Sequence, residues 1–152
     1  MNELIIRKGE KEDLEAALKL IKELAEYEKE PDAVVCDIAS MERDASGPNK
    51  IFDFFVAERD GSILGIAVYY FKYSTWKGRC LFLEDIVVQE NARNQGIGTR
   101  LFNAVKDIAL NSKLRRMEWQ VLEWNAPAIA FYKKHQAIFD SEWVNVKYEW
   151  DV

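Results

Sequence analysis

Apolar residues recur at intervals of three and four in several parts of the chain, and this spacing predicts four helices. In the first helix, Leu14, Leu18 and Ile21 would form the buried face. Asp37 and Asn125 precede the second and fourth helices, where their side chains can cap the first turn. The predicted helices cover residues 13–28, a short segment after 37, residues 99–111 and residues 127–134.

Shorter stretches rich in apolar and β-branched residues predict strands. Asp60-Gly61 separates two of them, and this residue pair favours a tight hairpin turn. The last stretch alternates Val144, Val146 and Tyr148 on one side, and we expect it to close the sheet. The order of elements predicts one mixed α/β domain over residues 1–152. The predicted strands cover residues 4–7, 51–58, 63–73, 81–88, 117–122 and 143–150.

A glycine-containing loop, Arg93-Asn94-Gln95-Gly96-Ile97-Gly98, joins the apolar strand over residues 81–88 to the third helix. Such a turn presents unpaired backbone N–H groups, and the helix dipole adds partial positive charge there. The loop lacks the ending of a Walker loop and the first glycine of a dinucleotide fingerprint. It indicates a ligand that carries a pyrophosphate, and an ordinary tight turn is the alternative explanation.

The composition indicates a globular protein with a substantial core. Of the 152 residues, 49% are hydrophobic, and no stretch has the apolar length of a membrane span. The net charge of −5 argues against a nucleic-acid partner. Cys36 and Cys80 lack the spacing of a metal site or disulfide framework, and His135 is the single histidine. We therefore expect a cytoplasmic protein with no metal, membrane or nucleic-acid partner.

Two adjacent carboxylates, Glu84 and Asp85, interrupt the apolar strand before the loop. Burying a carboxylate is costly unless it is paired or functional. Successive strand residues point to opposite faces, so the two side chains should not share a role unless the strand is bulged there. An internal salt bridge and a functional acidic site both remain open.

The loop spacing R-x-x-G-x-G resembles the pyrophosphate loop of the GNAT N-acetyltransferase superfamily, and the order of elements is also that of its fold. Within it, several segments resemble the diamine acetyltransferase family, which acts on polyamines or on thialysine. These segments are residues 20–28, residues 69–78, Leu83-Glu84-Asp85, Glu123-Trp124-Asn125 and Phe131-Tyr132. The resemblance spans nearly the whole chain. It implies the GNAT acyl-coenzyme A N-acyltransferase fold, with a central mixed, mostly antiparallel sheet flanked by helices.

The resemblance also implies the co-substrate, acetyl-coenzyme A, and the residues that hold it. The backbone near a bulge in the strand would bind the thioester carbonyl and pantetheine arm, and the loop would bind the pyrophosphate. The implied cofactor-binding residues are Ile86, Val87, Val88, Arg93, Asn94, Gln95, Gly96, Ile97, Gly98, Thr99, Asn125, Ala126, Pro127, Ala128 and His135.

Two catalytic roles follow from the same resemblance. Tyr132 would be the general acid that protonates the departing thiolate, for which a phenol is well matched. Glu84 would be the base. Because an ordinary glutamate is too weak to deprotonate an alkyl ammonium directly, it would act through ordered water. The alternative for Tyr132 is an aromatic residue that packs in the core.

The amine side of the site is implied by the resemblance too. The substrate-binding residues would be Tyr27, Glu28, Ser74, Trp76, Glu84, Asp85, Glu118, Trp119 and Gln120. Ser74 stands where the polyamine branch usually has an acid, which favours a short, thialysine-like amine over a long polyamine. Further departures from the family pattern are Asn94 for a glycine, Gln120 for an apolar residue and Gln136 for the glycine after the last helix.

We therefore expect an acetyl-coenzyme A-dependent N-acetyltransferase for a small primary amine, either a thialysine-like amino acid or a short diamine or polyamine. The far ammonium of a diamine would bind the acids while its near nitrogen reacts in the neutral form. A protein or peptide N-acetyltransferase and a non-catalytic acyl-coenzyme A-binding module are the alternatives. The resemblance also implies a homodimer.

Overall fold

The computed structural model describes residues 2–152, which contain a five-stranded sheet and four α-helices. The first four strands are antiparallel to their neighbours, and the fifth is parallel to the fourth. This confirms the mixed α/β class. The strands are β1 (Ile5–Lys8), β2 (Asp53–Arg59), β3 (Ser62–Ser74), β4 (Gly78–Val88) and β5 (Met117–Glu118), and the helices are α1 (Leu14–Tyr27), α2 (Ile38–Ala45), α3 (Ile97–Asn111) and α4 (Ala126–Lys134).

The chain divides into two compact units. The first runs to Gln120 and contains the sheet with α1, α2 and α3, and the second is Val121–Val152 and contains α4. A single domain over residues 1–152 stays a prediction.

The sheet of the first unit is covered on both faces. Leu14 of α1 packs in a buried cluster with Ile66 of β3. The preceding residue, Gly65, faces the opposite side, where a Cβ atom would lie 3.0 Å from Leu101 Cδ1 and 3.1 Å from the Val87 carbonyl oxygen. The absence of a side chain at Gly65 therefore lets α3 lie close to the sheet.

The predicted turn at Asp60-Gly61 is confirmed. Both residues have positive φ, 54° and 78°, as in the two-residue hairpin turns whose twist matches that of the paired strands. It connects β2 to β3, and their pairing runs from Arg59 with Ser62 to Asp53 with Tyr69.

Two positions after the last residue of three helices, the backbone adopts the left-handed conformation that usually favours glycine. These are Lys29, Lys113 and Gln136, with φ of 65°, 56° and 62°. At the end of α3, the Leu114 N–H donates to the Ala109 carbonyl at 3.0 Å, and equivalent bonds close α1 and α4. This hydrogen bond is typical of a Schellman motif. The missing glycine at Gln136 therefore does not prevent a regular end of α4.

Some predicted boundaries are wrong. The strand expected over residues 143–150 is absent: these residues pair with no strand of the described chain, and their side chains are exposed. An alternating pattern gives a segment one apolar face, but a strand also needs a neighbouring backbone with which to pair. The strand expected over residues 117–122 is reduced to Met117–Glu118 for the same reason, and α3 begins at Ile97 rather than near Thr99.

Candidate active site

β4 carries a bulge at Glu84. Val68 of β3 pairs with Asp85, whereas the next residue, Tyr69, pairs with Leu83, so Glu84 is the extra residue. Tyr70 shares the sheet face of Val68, and its hydroxyl donates to Glu84 Oε1 at 3.3 Å. The Glu84 carboxylate therefore reaches the same face as Asp85. Because the strand is bulged at Glu84, the two carboxylates can share a role.

Asp85 has the most perturbed carboxyl of this group. Burial, followed by the negative charges of Glu84 and Glu28, raises its pKa to about 7 from the usual 3.8. Burial also raises the pKa of Glu28 at the end of α1. An acid with a pKa near neutrality exchanges protons readily at physiological pH, which is a common property of functional sites.

Tyr70 is a residue of this cluster that the sequence did not reveal. Burial, with a further contribution from Glu84, raises the pKa of its phenol, so the hydroxyl keeps its proton and donates a hydrogen bond to the Glu84 carboxylate. Its ring lies against Phe82 of β4, with centroids 5.3 Å apart. Alternation along β3 places Tyr70 on the face of Val68, but the contact with Glu84 depends on the bulge, which leaves no periodic signal.

The first turn of α3 differs from those of α2 and α4. Asp37 accepts a hydrogen bond from the Ser40 N–H at 2.8 Å, and Asn125 accepts one from the Ala128 N–H at 3.3 Å. At α3 the N-cap is Gly96 with φ of 78°, which has no side chain to cap the turn. The free N–H groups of this turn are suited to an anion such as a phosphate.

The rest of the loop is held by its side chains. Asn94 has φ of 64°, a left-handed conformation that asparagine tolerates, so its replacement of glycine preserves the turn. Arg93 Nε donates to the Val88 carbonyl at 3.1 Å, and its guanidinium carbon lies 5.7 Å from the centre of the Tyr27 ring. Arg93 thus links the loop to the end of α1.

Few side-chain atoms cover the backbone around the start of α3. A Cβ atom at Gly98 would have only Val88 Cγ2 nearby, at 3.9 Å. Thr99 is half-buried, whereas the Ile97 side chain is buried. Gln95 is exposed, and its Oε1 accepts a hydrogen bond from Arg59 at 3.0 Å.

One edge of β4 lacks a strand for most of its length. Ile86, Val87 and Val88 pair with β3 on one side. On the other side β5 pairs only with Leu81 and Phe82, and no other strand within residues 2–152 continues the sheet there. This edge can therefore hydrogen-bond an extended ligand.

Two expected amine-side residues lie at the turn between β3 and β4. The Ser74 hydroxyl accepts hydrogen bonds from the backbone N–H groups of Trp76 and Lys77, both at 3.1 Å. Ser74 therefore stabilises the turn, while the Trp76 side chain is 79% exposed. Gln120, at the end of the first unit, is exposed as well.

The two other expected amine-side residues, Glu118 and Trp119, lie on opposite faces of the sheet. Glu118 forms ion pairs with Lys72 and Arg116, each at 3.4 Å. Trp119 packs edge-on against the buried ring of Phe102 on α3, with centroids 5.2 Å apart. Its ring thus contributes to the core under α3.

Within the second unit, Asn125 and Tyr132 are buried, with 8% and 7% of their surface exposed. The Tyr132 ring lies edge-on to Phe131, which also contacts His135 at the end of α4. Of the other expected residues, Ala126 and Pro127 are exposed and Ala128 is half-buried.

Residues 2–152 contain no group of three or more histidine, cysteine or acidic residues arranged to hold a metal ion. Cys36 and Cys80 are both free thiols. No helix in the described part of the chain is both long and apolar enough to cross a membrane.

Comparison with known proteins identifies related sequences and folds. The family model described as Acetyltransferase (GNAT) family matches residues 14–137. Thialysine N-epsilon-acetyltransferase of Sus scrofa is 37% identical over 141 residues, which are 88% of this chain and 83% of the relative. Spermidine/spermine N(1)-acetyltransferase-like protein 1 of Homo sapiens is 34% identical over 88% of this chain and 20% of that protein.

A solved structure, aminoglycoside N-acetyltransferase AAC(6')-Iy in complex with CoA, has the same fold. Its TM-score is 0.75 with 21% identity, and the match covers 98% of this chain and 96% of that chain. At this identity the likeness extends to the fold alone.

Proposed function

The chain belongs to the acetyltransferase (GNAT) family, and on this premise we propose that it transfers an acetyl group from acetyl-coenzyme A to a small primary amine. The amine would be a thialysine-like amino acid or a short diamine. The observation that carries this proposal is the bulge at Glu84, which brings two carboxylates to one face of the strand that leads into the loop. The relative from Sus scrofa is named for an amino-acid amine.

Three features of the first unit fit acetyl-coenzyme A. The first turn of α3 offers N–H groups without a side-chain cap, which suits the pyrophosphate. Gly98 adds no side chain above that turn. The edge of β4 at Ile86 to Val88 lacks a partner strand within the described residues, which suits the amide groups of the pantetheine arm. When bound, acetyl-coenzyme A supplies the activated thioester.

The acidic cluster would prepare the amine for attack. An alkyl ammonium must lose a proton before its nitrogen can form the new C–N bond. We assign the removal of that proton, through water, to Glu84, which is exposed and held by the Tyr70 hydroxyl. Glu28 and Asp85 would attract the amine and hold any second ammonium.

The transfer is completed when the C–S bond breaks and the sulfur receives a proton. We assign this proton to the hydroxyl of Tyr132, because the resemblance to the family implies a general acid at this position. A phenol shielded from bulk water matches the role, and Tyr132 is 7% exposed.

We also propose that the chain forms a homodimer, as its resemblance to the diamine acetyltransferases implies. The exposed Phe71, Tyr73 and Trp76 on β3 and its turn supply apolar surface for such a contact. Sedimentation should then give twice the 17.7 kDa of one chain; a mass of one chain at assay concentrations would contradict it.

Thiol release with thialysine as acceptor tests the two catalytic assignments. Tyr132→Phe and Glu84→Gln should each lower kcat by about 10² or more, the usual contribution of general acid–base catalysis. The matched control is Tyr148→Phe, since Tyr148 is 85% exposed and outside the proposed site. Wild-type rates in both variants would contradict the assignments, and acetyl-coenzyme A binding without release of thiol to any amine would contradict the function.

A further inference from the structure

A second charged cluster lies beside the acidic one. Lys72 Nζ lies 3.4 Å from Glu118 Oε1, and Arg116 Nη1 lies 3.4 Å from Glu118 Oε2. Two cations therefore share one carboxylate, and the cluster keeps a net charge of about +1 at neutral pH. The acidic cluster formed by Glu28, Glu84 and Asp85 has the opposite sign.

The two clusters lie on the same face of the sheet. Lys72 is two residues beyond Tyr70 on β3, and residues at this spacing point to the same side. Phe82 connects them: its ring centre is 5.3 Å from that of Tyr70 and 5.4 Å from Lys72 Nζ. Glu118 is the partner of Phe82 in the parallel pairing of β4 with β5. An aromatic surface thus separates an acidic end from a basic end.

These ion pairs contribute little to the stability of the fold. The side chains of Lys72, Arg116 and Glu118 are 39%, 35% and 26% exposed, and ion pairs at such exposure add little to the free energy of unfolding. The same exposure makes the cluster accessible to a small solute.

We propose that Lys72, Arg116 and Glu118 bind the zwitterionic head of an amino-acid acceptor while its side-chain amine lies at the acidic cluster. This inference rests on the proposed function and deepens it. The head group carries a carboxylate, which matches the two cations, and an α-ammonium, which matches Glu118. A diamine or polyamine presents an ammonium and no carboxylate at this end, so the same cluster disfavours it.

The spacing along β3 of Tyr70, which contacts Glu84, and Lys72, which contacts Glu118, agrees with such an acceptor. Residues two apart on a strand are about 7 Å from each other. Five or six single bonds, as between the side-chain nitrogen and the carboxylate carbon of ornithine or lysine, span roughly 6 to 8 Å when extended. The methylene groups of the acceptor would lie over Phe82 between the two ends.

The experiment compares acceptors that differ in one group, with thiol release as the readout. Thialysine is paired with its decarboxylated diamine, and L-lysine with cadaverine and 6-aminohexanoate, which keeps the carboxylate but lacks the α-amine. Each is assayed with the wild type, Lys72→Gln and Lys72→Arg. Lys106→Gln is the matched control, because Lys106 is an exposed lysine on α3.

Lys72→Gln should raise KM about tenfold for the acceptors that carry a carboxylate, with little change in kcat. For the diamines, KM should stay the same or fall. Lys72→Arg should restore most of the loss. An equal change for the amino acid and its diamine, or no change for either, would overturn the subsite while the acetyltransferase assignment stands. The absence of thiol release with every acceptor would overturn both.

Discussion

Asp85 is the residue whose ionisation should most affect the response of the fold to pH. Its pKa of about 7 lies above the usual 3.8, because burial and the charges of Glu84 and Glu28 disfavour the ionised form. Between these two pH values the folded chain keeps a proton that the unfolded chain has lost. The free energy of unfolding should therefore fall as the pH rises through this window. Above pH 7 the full cost of the buried, ionised Asp85 carboxylate remains.

Asp85→Asn should remove that cost. The shift corresponds to at most about 4 kcal/mol, so the variant should have a higher free energy of unfolding than the wild type at pH 8 and little gain at pH 4. Urea denaturation at both pH values measures the difference, with Asp107→Asn on the exposed side of α3 as the control. A gain of equal size at pH 4 and pH 8 would show that ionisation of Asp85 is not its cause.

The same residues show how far a sequence can predict a site. Glu84 and Asp85 attract notice because acids interrupt an apolar strand, and that signal needs no structure. The bulge that lets both reach one face, and the donor Tyr70 that holds one of them, do not follow from any period in the sequence. Lys72 and Glu118 are separated by 46 positions, so only the pairing of strands brings them together.

The helices are the elements that the sequence predicts best. Asp37 and Asn125 cap α2 and α4 as expected, because a side chain at the N-cap acts on N–H groups only a few residues away. The ends are less predictable: Lys113 and Gln136 adopt a left-handed backbone where the family pattern or general preference favours glycine.

Lys113→Gly should therefore stabilise the first unit. A residue with a Cβ atom in the left-handed region costs about 1 kcal/mol relative to glycine, and the 3.0 Å bond from Leu114 to Ala109 does not need the lysine side chain. Thermal denaturation should show a higher Tm for Lys113→Gly. Lys113→Ala is the matched control, since it loses the same side chain but keeps the Cβ. An equal rise in both variants would assign the effect to the lost side chain.

At the scale of the molecule, the sequence predicts the class, the element order through α4 and the position of the loop. These follow from local periodicity and from turn residues such as Asp60-Gly61. The strand predicted over residues 143–150 is the main error, because alternation predicts a face but no partner. The match of the family model to residues 14–137 spans most of the elements that the patterns predicted.

We propose that this chain moves an acetyl group from acetyl-coenzyme A to a small amine. The most direct measurement incubates the wild-type protein with acetyl-coenzyme A and one acceptor at a time, and quantifies free coenzyme A thiol and N-acetylated product together. The acceptors are thialysine, a short diamine, spermine and a lysine-containing peptide. We expect equal amounts of thiol and acetylated amine with thialysine or the diamine, and little of either product with spermine or the peptide. Thiol release that occurs only with the peptide would contradict this function, and so would a failure to release thiol with any of the four acceptors.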